Sequence, residues 1–420
     1  MRTINDRVYG EIAVSDAASR LLSNRWLVRL DGIRQLGACS FVYPSATHTR
    51  REHSIGVYHL SGIVASHVQT IISSITHEDV EWVRLAGLLH DVGHGPFSHM
   101  YESFLCERGN AWCHEKQTVR ILTEELMAEL YELQEWTHTR DENLMFLKGL
   151  ISGTISTETG RDPMVIRALA DVVHSHAGVD ADRMDYLLRD TLCVFGSTHT
   201  VDATRIIHSI RIVNGRIAFS HKVSLSIQQL FDLRTRLHKQ VYQHRDVLVV
   251  ETLLKAHMTE AHVASTLDEF YALTDASVLQ TTPLCRLHRY PRMHRVPLDL
   301  VLPTHPLCKC GHECLHRGNF CPQCGSSDEP LPFPIITSAE ATRHVQNALA
   351  RADIVVLIAD VTQGVLDHVP FHCNGVLKQL VDNGRPLWCR QRTVYCYTDG
   401  DEWEERESLG ELVKVSLKKL

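Results

Sequence analysis

Leu88-Leu89-His90-Asp91-Val92-Gly93-His94-Gly95-Pro96-Phe97-Ser98-His99 is the stretch that decides the fold of this chain. His90 and Asp91 can bind one divalent cation if two more ligands arrive from elsewhere in the sequence. The candidates are His53, in the run RREHS, and Asp182, in the run DADRMDY. Two imidazoles and two carboxylates suit Mn, Fe, Zn, Co or Mg. The sequence therefore predicts a mixed nitrogen and oxygen metal site.

Further side chains with acid-base chemistry surround this motif. Two glycines and a proline end the preceding helix, so the turn can direct His94 and His99 into one pocket beside the metal. Arg50 offers a guanidinium fork for phosphate, and Glu102 could orient one of the histidines. His114, followed by Glu115, supplies another acid-base pair. These residues predict a phosphate-facing surface next to the cation.

The composition excludes several classes of protein. A chain of 420 residues with 44% apolar residues can bury a full core. A formal charge of −7 argues against a strongly basic nucleic-acid binder. No uncharged apolar run reaches the ~18 residues of a membrane span, and the first residues lack the apolar region of a secretory signal. We expect a cytoplasmic protein whose thirteen cysteines do not form a disulfide framework.

Hydrophobic periodicity predicts a mainly helical fold over residues 15–270. Apolar stripes indicate helices near 52–76, 80–91, 115–134, 142–152, 163–175, 180–190 and 224–265. Asn214-Gly215 predicts a tight hairpin within 210–219, and strand-like runs occur near 354–359 and 387–397. The tail, 403–420, has the pattern of a charged helix. We divide the chain into a helical core (1–275), an insertion (276–334) and a small α+β segment (335–420).

The insertion has the pattern of a zinc ribbon. Nine of the fourteen prolines lie between residues 283 and 334, and five of the thirteen cysteines lie between residues 308 and 324. Two closely spaced thiol pairs predict a structural, four-thiolate zinc site: Cys308, Cys310, Cys321 and Cys324. Cys314 is an alternative to Cys308. Zinc would hold folded a segment that has little apolar core, and a contact with nucleic acid or a partner protein stays open.

The motifs together resemble the HD-domain phosphohydrolases, specifically the deoxynucleoside triphosphate (dNTP) triphosphohydrolases. The nearest likeness is to the HD core of antiviral, dGTPase-like enzymes that also carry a SAM domain. The resemblance runs nearly end to end, through IRQLG (33–37), TRREHSIGV (49–57), LLHDVGHGPFSH (88–99), DRMDY (182–186) and YQH (242–244). It implies an HD-domain helical core, a divalent cation and an oligomer, which could be a dimer, tetramer or hexamer.

The resemblance also implies roles at individual positions. His53, His90, Asp91 and Asp182 match the metal ligands, while Arg50, His94, His99, Glu102 and His114 match phosphate-facing and catalytic groups. Substrate contacts are implied for Gln35, Leu36, Arg183, Tyr186, Asp190, Arg234, His238 and Tyr242. Two substitutions depart from the usual pattern, since Glu102 replaces an aspartate and Arg183 a lysine. Ser23, Val28 and Asp31 replace residues that bind an activating guanine nucleotide in relatives, which makes that form of activation doubtful.

The implied reaction is hydrolysis of a dNTP to a deoxynucleoside and tripolyphosphate, by attack of water on the α-phosphorus. Control of dNTP pools and phage defence are both compatible roles. Two alternatives stay open at this point. The same core could act on nucleoside monophosphates or cyclic dinucleotides, or the zinc ribbon could serve a non-enzymatic protein that binds nucleic acid or a partner. A P-loop enzyme is excluded, because the chain contains no Gly-Lys dipeptide.

Overall fold

A computed structural model describes residues 2–133, 136–154, 156–175, 178–196 and 201–282, together with the strand segments 294–296, 301–302, 355–362, 371–373, 376–378 and 390–398. Helices dominate the first group. In chain order they are α1 (Asp16–Leu21), α2 (Arg25–Arg29), α3 (Arg50–Ile71), α4 (His77–Leu89), α5 (His99–Glu107), α6 (His114–Ile121), α7 (Met127–Leu133), α8 (Arg140–Ser152), α9 (Pro163–Val173), α10 (Ala181–Phe195), α11 (Ala203–His208), α12 (Ser224–Leu237), α13 (Arg245–His257), α14 (Leu267–Ala272) and α15 (Asp275–Thr281).

The described strands form three small sheets. Their bounds are β1 (Arg2–Asp6), β2 (Gly10–Val14), β3 (Ile210–Val213), β4 (Arg216–Ser220), β5 (His294–Val296), β6 (Val301–Leu302), β7 (Val355–Thr362), β8 (Phe371–Cys373), β9 (Val376–Lys378) and β10 (Arg390–Thr398). β1 and β2 form an antiparallel hairpin. The second sheet has the order β3-β4-β8-β9, with β4 and β8 parallel. In the third sheet, β10 pairs antiparallel with β5, β6 and β7.

The chain divides into two units. The first comprises 1–237, 251–283 and 364–388, and the second comprises 238–250, 284–363 and 389–420. In the first unit, α3 packs against α4, α9 and α10. Its interior is lined by large side chains that are fully buried, among them Trp26, Trp82, Phe104 and Phe146. The second unit contains the sheet around β10.

Local signals explain where the site-bearing helices begin and end. The Thr49 hydroxyl accepts from the Glu52 amide at the start of α3, and Thr76 and Asp79 form a reciprocal capping box at the start of α4. Asp180 caps α10, which ends at Gly196 in a left-handed conformation (φ +72°). These caps fix the ends of the helices that carry His53, His90 and Asp182.

The predicted helical class is confirmed, and so is the hairpin within 210–219. Asn214 (φ +53°) and Gly215 (φ +72°) adopt the conformation of a type I′ turn. The single helix predicted over 224–265 is wrong. It is interrupted by a π-helical turn at His238–Tyr242, where the Gln243 amide donates to the His238 carbonyl, five residues back.

Three predictions remain untested by the described residues. The zinc-ribbon cysteines (308, 310, 314, 321 and 324) and the tail helix lie outside them, and the proposed domain boundaries stay predictions. Among the helices that are described, none combines the length and apolar character needed to cross a bilayer.

Candidate active site

The turn that carries the His-Asp pair is held directly against helix α6. The hydroxyl of Thr118 donates to the His90 carbonyl (2.9 Å) and accepts from the Gly93 amide (3.0 Å). A β-carbon at Gly93 would lie 2.3 Å from both the His114 carbonyl oxygen and the Thr118 nitrogen. Only glycine therefore allows this approach, which brings the end of α4 next to the start of α6.

The structure brings together the four predicted metal ligands from α3, α4, the following turn and α10. His53 Nε2 lies 3.0 Å from Asp182 Oδ1 and 3.6 Å from Asp91 Oδ2. His90 Nε2 lies 3.3 Å from Asp91 Oδ1 and 3.6 Å from Asp182 Oδ1. Ligand atoms of His53, His90 and Asp182 all lie within 4.8 Å of one another. The donors therefore converge on one point.

The hydrogen bonds of the two imidazoles fit a cation at that point. His53 Nδ1 is 2.7 Å from Asp185 Oδ2, and His90 Nδ1 is 2.8 Å from the Gly87 carbonyl. Both acceptors require a proton on Nδ1, so in the neutral ring Nε2 carries the lone pair that could bind a cation. Neither Nε2 atom, although buried, has a hydrogen-bond partner among the described residues. Lone pairs and carboxylate oxygens that face one another in this way suit a divalent cation.

The charges of the candidate ligands shift one another's pKa values. Burial lowers the pKa of His53, but the carboxylates of Asp182 and Asp185 outweigh it and raise that pKa to about 10. Burial alone would raise the pKa of Asp91. Nearby positive charge, chiefly that of Arg50, outweighs burial and holds this pKa well below its ordinary value. The acids are therefore ionised, and in the metal-free protein they favour positive charge on the imidazoles.

Asp185 was not predicted from the sequence, yet it positions a predicted ligand. Its carboxylate receives two hydrogen bonds from Arg189, Nε to Oδ2 at 2.9 Å and Nη2 to Oδ1 at 3.0 Å. The other arm of Arg189 donates to Asp6 Oδ2 at 2.8 Å. Asp185 stands three residues after Asp182, so it faces the same side of α10. That spacing was the signal available in the sequence.

Arg50 is held in place by the turn that follows the His-Asp pair. Its Nη1 is 2.5 Å from Asp91 Oδ2, and its Nε donates to the Ser98 hydroxyl at 2.7 Å. Phe97 and Ser98 both have positive φ, +55° and +59°. The left-handed region is costly for residues with a side chain. This strained turn directs the Ser98 hydroxyl toward Arg50.

The structure brings His94, His99 and His114 together beside the metal ligands. The rings of His94 and His114 stack at 3.9 Å, and the ring of His99 lies 5.1 Å from that of His94. Glu102 Oε2 is 3.1 Å from His114 Nδ1 and 3.8 Å from His99 Nδ1. His94 Nε2 is 3.3 Å from Asp91 Oδ1. Burial alone would raise the pKa of Glu102, but the imidazoles of His114 and His99 outweigh burial and lower this pKa to about 2.

Several predicted substrate contacts lie on or near helix α10. Arg234 donates a hydrogen bond to Tyr186, and Arg183 is electrostatically coupled to the same tyrosine. Arg183 itself pairs with Asp180. Asp190 is buried and lies 2.8 Å from His48 Nε2, a partner that the sequence did not indicate. Its predicted contact with the substrate therefore requires that its carboxylate also serve His48.

The remaining predicted contacts fall in two places. Gln35 and Leu36 are half-buried, and Gln35 Oε1 is buried without a hydrogen-bond partner among the described residues. His238 and Tyr242 belong to the second unit, where their rings meet edge to face at 4.9 Å. The functional roles of all these residues stay predictions.

Comparison with known proteins agrees with this geometry. The family described as the HD domain matches residues 50–190, a range that contains all four candidate ligands. Residues 50–190, about a third of the chain, are therefore similar to the HD domain. It is also similar to several SAMHD1 proteins, which are named as deoxynucleoside triphosphate triphosphohydrolases.

Three relatives illustrate the extent of this similarity. The SAMHD1 homologue of Dictyostelium discoideum is 32% identical over 279 residues, which cover 65% of this chain and 51% of that protein. An HD domain-containing protein of Acanthamoeba polyphaga mimivirus is 30% identical and is covered to 62%, with 65% of this chain aligned. SAMHD1 of Homo sapiens is 26% identical over 416 residues, which cover 89% of this chain and 65% of that protein. The chain thus spans about half to two thirds of the length of these three relatives.

Proposed function

We propose that this protein is a metal-dependent dNTP triphosphohydrolase, which releases a deoxynucleoside and tripolyphosphate. One observation carries the proposal: His53, His90, Asp91 and Asp182 converge beside stacked imidazoles and a buried arginine. Similarity to proteins named for this activity supports the choice of substrate. Three finer predictions are proposals of the same kind: Mn, Fe, Mg or Zn as the ion, the structural zinc ribbon, and a homo-oligomer.

The candidate ligands and Arg50 suit a polyphosphate. A divalent cation bound by the four ligands would draw negative charge from the phosphate oxygens. Arg50 already donates to Asp91 and Ser98, and its fixed guanidinium adds positive charge on the same side. Arg183 and Arg234, which both face Tyr186, extend the positive charge toward the predicted nucleoside contacts.

The imidazoles have complementary positions for two proton transfers. The His94–Asp91 pair, in which His94 Nε2 lies 3.3 Å from Asp91 Oδ1, can take a proton from the attacking water. Glu102 orients His114, which can donate a proton to the leaving oxygen. Water forms a bond to the α-phosphorus, and the bond from that phosphorus to O5′ breaks. O5′ then takes the proton from His114 and leaves as the nucleoside hydroxyl.

Product analysis in labelled water tests this proposal. Purified protein with Mn²⁺ is incubated with each dNTP, each ribonucleotide, deoxynucleoside monophosphates and a cyclic dinucleotide, and the products are separated by anion exchange. We expect tripolyphosphate from dNTPs, and in H₂¹⁸O the label should enter tripolyphosphate rather than the nucleoside. Pyrophosphate or orthophosphate as the primary product would refute the reaction, and turnover of only the monophosphate or cyclic dinucleotide would select that alternative.

A matched pair of histidine variants connects the activity to the site. His90→Ala removes a candidate ligand, so we expect loss of both Mn²⁺ binding and hydrolysis. His77→Ala removes an exposed histidine from the first turn of the same helix and should leave both unchanged. Full activity in His90→Ala would assign the hydrolysis to another site or to a contaminant.

A further inference from the structure

A row of alternating charges leads from the candidate metal site to the N-terminal hairpin. It begins at His53 Nδ1, 2.7 Å from the Asp185 carboxylate. Asp185 accepts two hydrogen bonds from Arg189, and Arg189 donates its remaining arm to Asp6 at 2.8 Å. Asp6 is the last residue of strand β1. Three polar contacts therefore connect a candidate ligand on α3 to the turn between β1 and β2.

Burial makes each contact in this row depend on its neighbours. The side chains of Asp185 and Arg189 are 0% exposed, and that of Asp6 is 5% exposed. A guanidinium that is cut off from water needs both carboxylates, because an unpaired buried charge is strongly destabilising. Burial alone would raise the pKa of Asp185. Nearby positive charge, chiefly that of Arg189, outweighs burial and lowers this pKa to about 2.

Asp6 serves two purposes with its two carboxylate oxygens. Oδ1 accepts the backbone amides of Val8 (2.8 Å) and Tyr9 (3.0 Å), which closes the hairpin turn. Oδ2 is the oxygen that receives Arg189. The same side chain thus fixes the shape of the turn and holds the guanidinium behind Asp185.

Helix α3 confines the other end of the row. A β-carbon at Gly56 would lie 1.9 Å from Asp185 Oδ1 and 2.3 Å from Arg189 Nη2. The ion pair therefore lies directly on the backbone of the helix that presents His53, one turn earlier in the chain. With α3 on one side and the hairpin on the other, the pair has little space for another arrangement.

We propose that Asp6 is a positioning residue for His53, which makes the hairpin of β1 and β2 a supporting element of the metal site. This inference rests on the metal site of the proposed function but not on its nucleotide substrate. Without the negative charge of Asp6, Arg189 interacts with Asp185 alone. Asp185 then becomes a weaker acceptor for the His53 Nδ1 proton, and the Nε2 lone pair becomes a poorer donor to a cation.

Binding of Mn²⁺ to metal-free protein tests the inference without any enzymatic assay. Asp6→Asn keeps an oxygen for the Val8 and Tyr9 amides, but its NH₂ group replaces Oδ2, so both the charge and the acceptor for Arg189 are lost. Partners in direct contact with a metal ligand typically affect affinity by ~10- to 100-fold, so for this more distant residue we expect a loss of about 3- to 10-fold by calorimetry. Glu11→Gln is the matched control, because it removes one carboxylate from an exposed position of the same hairpin. It should change Mn²⁺ affinity by less than about twofold.

A second readout reports on His53 itself. In metal-free protein labelled with ¹⁵N-histidine, the Nδ1 proton of His53 should shift upfield in Asp6→Asn and stay in place in Glu11→Gln, since its hydrogen bond to Asp185 weakens only in the first. Arg189→Lys, which keeps the charge but cannot reach both carboxylates, provides a second test if Asp6→Asn does not fold. It should also weaken Mn²⁺ binding.

The outcomes separate the two proposals. The positioning role would be overturned if a folded variant, Asp6→Asn or Arg189→Lys, bound Mn²⁺ as tightly as the wild type and left the His53 proton unshifted. The proposed hydrolase activity would be unaffected by that result. A wild-type protein that binds Mn²⁺ but cleaves no dNTP would overturn the proposed function and leave this comparison valid. A wild-type protein that binds no Mn²⁺ would overturn both.

Discussion

Replacement of Gly56 by alanine is the sharpest test of how the metal site is packed. The new methyl group would lie 1.9 Å from Asp185 Oδ1 and 2.3 Å from Arg189 Nη2, far inside any contact distance. Both neighbours are completely buried, and each is held by other partners, so neither can simply turn away. The Asp185–Arg189 pair must therefore shift or break.

The expected cost follows from these contacts. Overpacking a buried site costs ~1–3 kcal/mol, and breaking a buried ion pair costs ~3–5 kcal/mol. The better helix propensity of alanine returns about 1 kcal/mol. We therefore expect Gly56→Ala to lower the free energy of unfolding by about 2–4 kcal/mol. Displacement of Asp185 should also weaken Mn²⁺ binding by about 10- to 100-fold, the range for a residue that orients a ligand.

The control lies in the same helix. The three atoms nearest to a β-carbon at Gly62 would all belong to the side chain of Arg84, at 3.0 Å. Gly62→Ala should therefore cost much less stability than Gly56→Ala, because the gain in helix propensity offsets a small shift of Arg84, which is bonded to Glu81 and the Ala13 carbonyl. Urea unfolding of the metal-free proteins, followed by circular dichroism, gives the stabilities, and calorimetry gives the Mn²⁺ affinities. Equal stability and equal Mn²⁺ affinity in the two variants would refute the packing described here.

Three further perturbations probe other parts of the site. Arg50→Lys keeps the charge but loses the fork that joins Asp91 and Ser98, so kcat/KM should fall by about 10- to 100-fold; an unchanged value in a dNTP assay would contradict the role of the fork. Glu102→Gln removes the carboxylate behind His114 and should lower kcat by about 10- to 100-fold with little change in KM, whereas a change in KM alone would indicate a binding role. Burial alone would lower the pKa of His48, but the Asp190 carboxylate outweighs burial and raises that pKa to about 9. The protonated His48 therefore stabilises the fold by up to ~3 kcal/mol below pH 6.5, the approximate pKa of histidine in the unfolded chain. This contribution is lost as the pH rises through about 9. Urea unfolding between pH 6.5 and 9.5 should show this loss in the wild type, and a slope of the same size in His48→Gln would exclude His48 as its source.

The candidate ligands, which the structure brings close together, could be found in the sequence because they stand in dense local motifs. The glycines and proline after His90 and Asp91 indicated the end of α4, and the structure ends that helix at Leu89. The periodic apolar stripes of α3, α9 and α10 likewise gave those helices nearly at their observed bounds. Where polar chemistry coincides with helix boundaries, one chain contains enough information to find both.

The supporting residues escaped prediction because they are brought together only by the tertiary fold. Asp6 and Arg189 are separated by 183 positions, and nothing in the local sequence of either names the other. Thr118 resembles any threonine on a helix, although its hydroxyl joins the turn of the His-Asp pair to α6. The π-helical turn at His238–Tyr242 was also missed, since one inserted residue leaves the apolar stripe nearly intact.

The contact at Gly93 has a consequence for how the site could change over evolutionary time. Because the turn touches the backbone of α6 at His114 and Thr118, backbone contacts set the spacing between the candidate proton donor His114 and the candidate cation ligands. Divergence toward other phosphate esters would then proceed through the walls that receive the sugar and base, while the reacting distance is inherited unchanged.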